Sequence, residues 1–163
     1  MHLIREAHAG DLPAIAMLFD LYRQFYDQAP DLRLAEEFIS ERFRNKESTL
    51  LVAANPEQEL VGFCQLYPTF CSVEARPIYA LYDLFVLPSA RQTGAGRGLL
   101  QAAVARAAAE GKARLDLTTA RTNLTAQALY EASGWVRDEI FLAYNYPLPD
   151  SKAAPEGSSP ASA

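Results

Sequence analysis

One stretch constrains this chain more than any other. Positions 84 to 100 read Leu84-Phe85-Val86-Leu87-Pro88-Ser89-Ala90-Arg91-Gln92-Thr93-Gly94-Ala95-Gly96-Arg97-Gly98-Leu99-Leu100. A β-rich run stops at Pro88, three glycines fall within five residues, and a helical pattern starts behind them. A strand feeding a glycine turn and then a helix presents free backbone N–H groups at the positive end of the helix dipole. Anions bind there, above all pyrophosphate. Glycine is suited to such a loop because a Cβ would block close approach. Two phosphate motifs are excluded by spacing. The loop reads G-x-G-x-G where a dinucleotide fingerprint needs G-x-G-x-x-G, and no Lys follows as a P-loop requires. A turn with no ligand is the plain alternative, but repeated glycine at a helix entry costs conformational entropy without return.

The rest of the chain fits around this turn. His2–Ala7 reads as an edge strand. Asp11 is placed as an N-cap with Pro13 in the first turn, opening a helix to about Asp27 that carries Ile15, Leu18, Phe19, Tyr22 and Tyr26. Ala29-Pro30 breaks it, and a second helix is expected over 32–45 with Leu34, Phe38, Ile39 and Phe43 as its stripe. Strands are expected at 48–54, 60–70 and 78–87, with Asn55-Pro56-Glu57-Gln58 as a hairpin turn. After the glycine turn come a helix to about Glu110, a strand over 113–119, and a helix over 123–132. Trp135–Val136 and Glu139–Tyr146 read as final strands. From Pro147 the composition turns to Pro, Ser, Ala and Gly and predicts a disordered tail, 147–163, behind a single domain, 1–146. The order β-α-α-β-β-β-α-β-α-β-β implies an α/β layer structure around a mostly antiparallel sheet.

Composition narrows the function. The 163 residues carry a net charge of −5, against broad nucleic-acid binding. No apolar run reaches the roughly 18 residues of a membrane helix. No basic stretch followed by an apolar one opens the chain, and two cysteines make no disulfide scaffold, so a cytoplasmic location is expected. Cys64 and Cys71 lack C-x-x-C spacing, and His2 and His8 sit near the N-terminus, so no metal site is expected. Residues 1–75 hold 6 Lys+Arg against 12 Asp+Glu, and residues 76–163 hold 9 against 8. The acid is concentrated in the first half.

Arg91-Gln92-Thr93-Gly94-Ala95-Gly96 resembles the R/Q-x-x-G-x-G/A loop of the GNAT acyl-CoA-dependent N-acetyltransferase superfamily. The preceding Asp83-Leu84-Phe85-Val86 is similar to that family's strand. A second match, Asn123-x-x-Ala126-x-x-Leu129-Tyr130-x-x-x-Gly134-Trp135, lies one helix and one strand downstream, as in the family. The resemblance covers about residues 2–146. It implies a GNAT fold of the α/β (α+β) class: a mixed, mostly antiparallel sheet of six to seven strands flanked by four helices, splayed between strands 4 and 5.

The resemblance also implies roles. Acetyl-CoA would lie in the splay, its pantetheine arm against the backbone of Phe85, Val86 and Leu87. Its pyrophosphate would rest on the main-chain N–H groups of Gln92, Thr93, Gly94, Ala95, Gly96 and Arg97. The side chains of Arg91 and Arg97 would add charge, or stand as surface cations. The Val86 N–H is the oxyanion candidate. Asn123 would contact the cofactor, cap its helix, or do both. Tyr130 would protonate the departing thiolate, its alternative being a core aromatic. The glutamate that related spermidine/spermine acetyltransferases carry before the aspartate is here Tyr82. Asp83 could act as base or as amine anchor, or a water chain could carry the proton; the plain alternative is a buried carboxylate bonding neighbouring loop backbone.

In GNAT proteins the acceptor side comes from the two helices after the first strand and the loop between the third and fourth strands. Here these supply Tyr22, Tyr26, Asp27, Tyr67 and Phe70, with Tyr82 beside them. Aromatic rings and carboxylates suit a cationic amine, unless the rings are simply core. The Tyr-Pro-Thr-Phe run resembles a subgroup of general acetyltransferases, some linked to histone or free amino-acid acetylation. The expected activity is acetyl transfer, in a ternary complex, to a small primary amine such as a polyamine, an amino acid or an aminoglycoside-like compound. The alternatives are a protein acetyltransferase, on Lys or an N-terminal amine, and a non-catalytic acyl-CoA sensor. Many relatives are homodimers, and Phe141, Tyr144 and Tyr146 could serve such an interface.

Overall fold

The computed structural model describes residues 1–149. Its elements are β1 (Leu3–Glu6), α1 (Leu12–Phe25), α2 (Leu32–Arg44), β2 (Thr49–Ala54), β3 (Leu60–Cys71), β4 (Arg76–Val86), α3 (Ala95–Ala109), β5 (Leu115–Asp116) and α4 (Leu124–Ala132). The sheet runs β1-β2-β3-β4-β5, antiparallel except for the β4–β5 pair.

Alternation along the strands sorts the core into two layers. Leu50, Val52, Phe63 and Phe85 face α1 and α2, where Ile15, Leu18, Phe19, Ala35 and Ile39 cover them. Leu51, Ala53, Cys64, Leu66 and Leu81 face the opposite way, onto Leu99, Leu100, Ala103 and Ala107 of α3. Each of the larger of these side chains contributes about 1.5–3 kcal/mol by leaving water. The α3 helix comes so close to the sheet that a Cβ at Gly98 would stand 2.9 Å from Ile4 Cγ1. The third glycine of the turn is therefore explained by packing as well as by any ligand.

Two irregularities shape the molecule. Gln65 pairs with Asp83 but Leu66 pairs with Leu81, so Tyr82 is an extra residue, a β-bulge in β4. The bulge changes which face the odd-numbered residues take: Tyr79 and Leu81 point to the α3 layer, Phe85 to the α1–α2 layer. The second irregularity is the brevity of β5. Only Tyr79↔Leu115 and Ala80↔Asp116 pair in parallel, while β4 continues to Val86. The two chains part there, as expected for strands 4 and 5.

Several expectations need correction. Among the described residues the sheet has five strands, not the six or seven expected. Trp135–Val136 and Glu139–Tyr146 form no strands. The physical reason lies in β5: it ends at Asp116, so a returning segment finds almost no ladder to join. Ile140, Phe141, Leu142, Tyr144 and Tyr146 consequently stand exposed. Asp11 begins α1, but its carboxylate is turned to Arg5, at 2.6 and 2.9 Å, and to the His8 N–H at 2.8 Å, so it ties β1 to α1 rather than capping a helix N–H. The expected tail lies outside the described residues from position 150.

Candidate functional site

The open edge of β4 leads directly to the start of α3. Leu87 N–H donates to Val61 C=O at 2.8 Å, toward β3. By strand alternation the N–H and C=O of Val86 turn to the other, open edge. Its carbonyl there accepts from Arg91 Nε at 3.2 Å. Arg91 also lies over the Phe25 ring, 5.9 Å from its centre. The connecting residues are wound tightly, with Gln92 at φ 62° and Gly94 at φ 94°. Glycine tolerates that conformation, whereas Gln92 holds it at a cost of about 1 kcal/mol. The first helical bond runs from Gly98 N–H to Gly94 C=O at 2.9 Å. The N–H groups of Ala95, Gly96 and Arg97 thus precede any helical acceptor and sit at the positive pole of a 15-residue helix. A Cβ on Gly96 would come within 3.2 Å of Leu129, so the glycine also admits α4. These residues fit a pyrophosphate-bearing ligand.

α4 closes the other side of the opening. Asn123 Oδ1 accepts from Ala126 N–H at 3.2 Å, so this side chain is a helix cap. It also lines a cavity of about 360 Å3 with Phe25, Tyr26, Asp27 and Thr122. Tyr130 packs on Trp135, 6.1 Å between ring centres, and against the α3 layer beside Val86. Burial pushes its phenol up to about 12, so it is protonated at neutral pH.

Across the sheet lies a larger cavity of about 640 Å3 between α1, α2, β3 and β4. Tyr22, Tyr26, Tyr67 and Tyr82 line it, and Asp83 forms part of its wall. Tyr26 lines both cavities and so marks where they adjoin. Two residues expected here are elsewhere. Phe70 is 77% exposed near the far end of β3, beyond reach of this cavity, and Asp27 belongs to the smaller one. Phe70 is displaced because β3 runs on to Cys71, which carries that turn away from the helices.

Asp83 is held by a chain of buried polar groups. Gln65 Nε2 donates to Asp83 Oδ2 at 2.6 Å, and Ser48 Oγ donates to Gln65 Oε1 at 2.7 Å. Tyr22 Oη donates to the carbonyl of Tyr82 at 3.2 Å, the group that the bulge takes out of the ladder. Burial raises the Asp83 carboxyl above its ordinary range, and the donors from Gln65 and Tyr22 offset only part of that. Gln65 is fully buried, and no spacing rule singles out a Gln in a strand. Its one visible signal is polarity inside the otherwise apolar run Leu60–Leu66.

The cavity wall holds two further cations, Arg23 and Arg42. Each is ion-paired: Arg23 with Asp20 at 3.1 Å, and Arg42 with the half-exposed Glu41 and Glu47 at 2.8 and 2.5 Å. None of these three carboxylates lines the cavity, so the acidic character of residues 1–75 does not carry over to its wall. Cys64 is fully buried, which pushes its thiol up and makes it a poor nucleophile.

The model of the Acetyltransferase (GNAT) family matches residues 15–135. The chain belongs to the GNAT acetyltransferase family. It is 47% identical over 146 residues to YhfO of Bacillus subtilis (strain 168), described as an N-acetyltransferase, covering 90% of this chain and 97% of that one. A crystal structure of a probable acetyltransferase superposes with a TM-score of 0.85 at 34% identity, covering 91% and 99%. An aminoglycoside acetyltransferase from a soil metagenomic sample shares the fold, with a TM-score of 0.75 at 20% identity over 91% and 97%. These GNAT relatives agree with the splayed sheet and four helices described above.

Proposed function

We propose that this protein transfers an acetyl group from acetyl-CoA to the primary amine of a small molecule. The observation that supports it best is the position of Tyr26. It lines both the smaller cavity, beside Asn123 at the start of α4, and the Asp83 cavity, so that a donor reaching Asn123 would adjoin an acceptor at Asp83. Acetyl-CoA would supply the acetyl group as a thioester. The N–H groups of Ala95, Gly96 and Arg97 would take the pyrophosphate, and the edge of Phe85, Val86 and Leu87 the pantetheine arm. The outward N–H of Val86 would stabilise charge developing on the carbonyl oxygen.

On the acceptor side, an ammonium group must lose a proton before its nitrogen can attack. Asp83, ionised, would take that proton directly or through a water. Its raised affinity for protons suits a base better than an ordinary surface carboxylate would. Tyr130 Oη would give a proton to the departing sulfur. A cavity of about 640 Å3 lies within the range that encloses a small ligand, which favours a small acceptor over a protein segment.

A thiol-release assay over a panel of amines tests this reading, with Tyr130→Phe beside wild type. The expected result is a loss of about 10²-fold or more in kcat with acetyl-CoA affinity retained. Unchanged turnover removes Tyr130 as the acid. Absence of heat on titrating acetyl-CoA into the protein overturns the proposed function itself.

A further inference from the structure

The larger cavity is not the acidic pocket that a polyamine would call for. Its wall offers one carboxylate, Asp83, and two guanidinium groups, Arg23 and Arg42. We infer that the acceptor is a primary amine that also carries a carboxylate, its nitrogen turned to Asp83 and its carboxylate to Arg42, with Arg23 in support. This deepens the proposed function and rests on it.

Both arginines have donors to spare. A guanidinium has five N–H donors in a fixed fork. Arg23 gives one to Asp20, at 3.1 Å. Asp20 also accepts from Gln24 Nε2 at 3.0 Å and from the Asp31 N–H at 2.9 Å, so one N–H of Arg23 suffices there and the others are left for a ligand. Arg42 lies 2.8 Å from Glu41 and 2.5 Å from Glu47. Its Nε lies at ion-pair distance from Glu47 without the alignment of a hydrogen bond. Glu41 and Glu47 are half-exposed, and such ion pairs are worth little, so exchanging one for a bound carboxylate costs little. Arg42 is also pre-set: it stacks on Phe38 at 4.8 Å with a side chain only 21% exposed. A planar, partly desolvated guanidinium is the group best matched to a carboxylate.

Asp83 and Arg42 line the cavity together with Tyr67, and Tyr82 stands against the Tyr67 ring at 5.7 Å. A wall that carries both signs of charge matches a molecule that carries both. A polyamine would place a second ammonium beside Arg42, which is repulsive.

The test uses matched acceptors: the common L-amino acids, their carboxamides, the corresponding decarboxylated amines, and spermidine. The expected result is that at least one acid exceeds its own carboxamide at least tenfold in kcat/KM. Arg42→Gln should raise KM for that acid about tenfold, leave kcat nearly unchanged, and barely alter turnover of the carboxamide. Arg42→Lys should recover part of the loss. The inference is overturned if carboxamides or spermidine are the better acceptors, or if Arg42→Gln affects acid and carboxamide alike. Ligand-observed NMR of the same acids and carboxamides reads the cavity apart from turnover. Acids binding in preference to carboxamides supports the inference even where nothing is acetylated, and no preference overturns it. Calorimetry with acetyl-CoA, in contrast, reports on the proposed function alone.

Discussion

Gln65→Leu is the perturbation that most directly examines the buried network. Leucine is close in volume and keeps the strand, but removes both hydrogen bonds of the amide. The bond to Asp83 is to a charged group, worth about 1.5–3 kcal/mol, and the Ser48 hydroxyl loses its acceptor, worth about 1 kcal/mol. A leucine side chain in this fully buried site recovers some of that by apolar burial. The net expectation is a loss of about 2–3 kcal/mol, or roughly 4–12 °C in Tm for a chain of this size. The loss should depend on pH. Burial already holds the Asp83 proton affinity above that of the unfolded chain, so its favourable contribution is present at low pH and is lost as pH rises through its folded value. Taking away the Gln65 donor raises that value further. Urea unfolding should therefore show a larger deficit at pH 8 than at pH 5, and the acid limb of kcat/KM should move to higher pH. A deficit equal at the two values, or larger in acid, would refute the claim that Gln65 serves an ionisable Asp83.

Two further outcomes are expected. Asn123→Ala should cost about 1 kcal/mol of stability through the lost cap and also weaken acetyl-CoA, both read by thermal shift with and without the ligand; a stability loss with affinity unchanged would confine Asn123 to capping. Light scattering on the purified chain should report a dimer, and Phe141→Asp with Tyr144→Asp a monomer, because the exposed apolar side chains over 140–146 are covered by no other described residue; a monomeric wild type would refute this.

Much of the fold could be read in advance because its signals are local. The α1 and α2 stripes follow helical spacing, and the strand, glycine turn and helix around Gly94 announce themselves within 17 residues. What escaped depends on neighbours far away in sequence. Arg42 is one of several charges on a polar helix, and only the packing of α2 on α1, with Arg42 stacked over Phe38 of its own helix, brings it to the cavity wall. Gln65 acquires meaning only when β3 lies beside Asp83. Phe141 and Tyr144 have strand-like patterning, but a strand needs a partner, and β5 is two residues long. The acidic first half misled for a related reason. Charge counts do not tell which side of a helix faces a cavity, and here Asp20, Glu41 and Glu47 serve the arginines instead.

The bulge at Tyr82 has a consequence for how acceptor choice can drift in this lineage. An ordinary strand residue answers to packing on one face or the other, so changing it disturbs a core. Tyr82 answers to neither: it is supernumerary to the ladder, 71% exposed, and yet part of the cavity wall. Mutation can explore position 82 with little penalty to folding, while Asp83 beside it stays anchored to Gln65. On the proposed function, chemistry at Asp83 and selectivity at Tyr82 would sit on adjacent residues free to evolve at different rates.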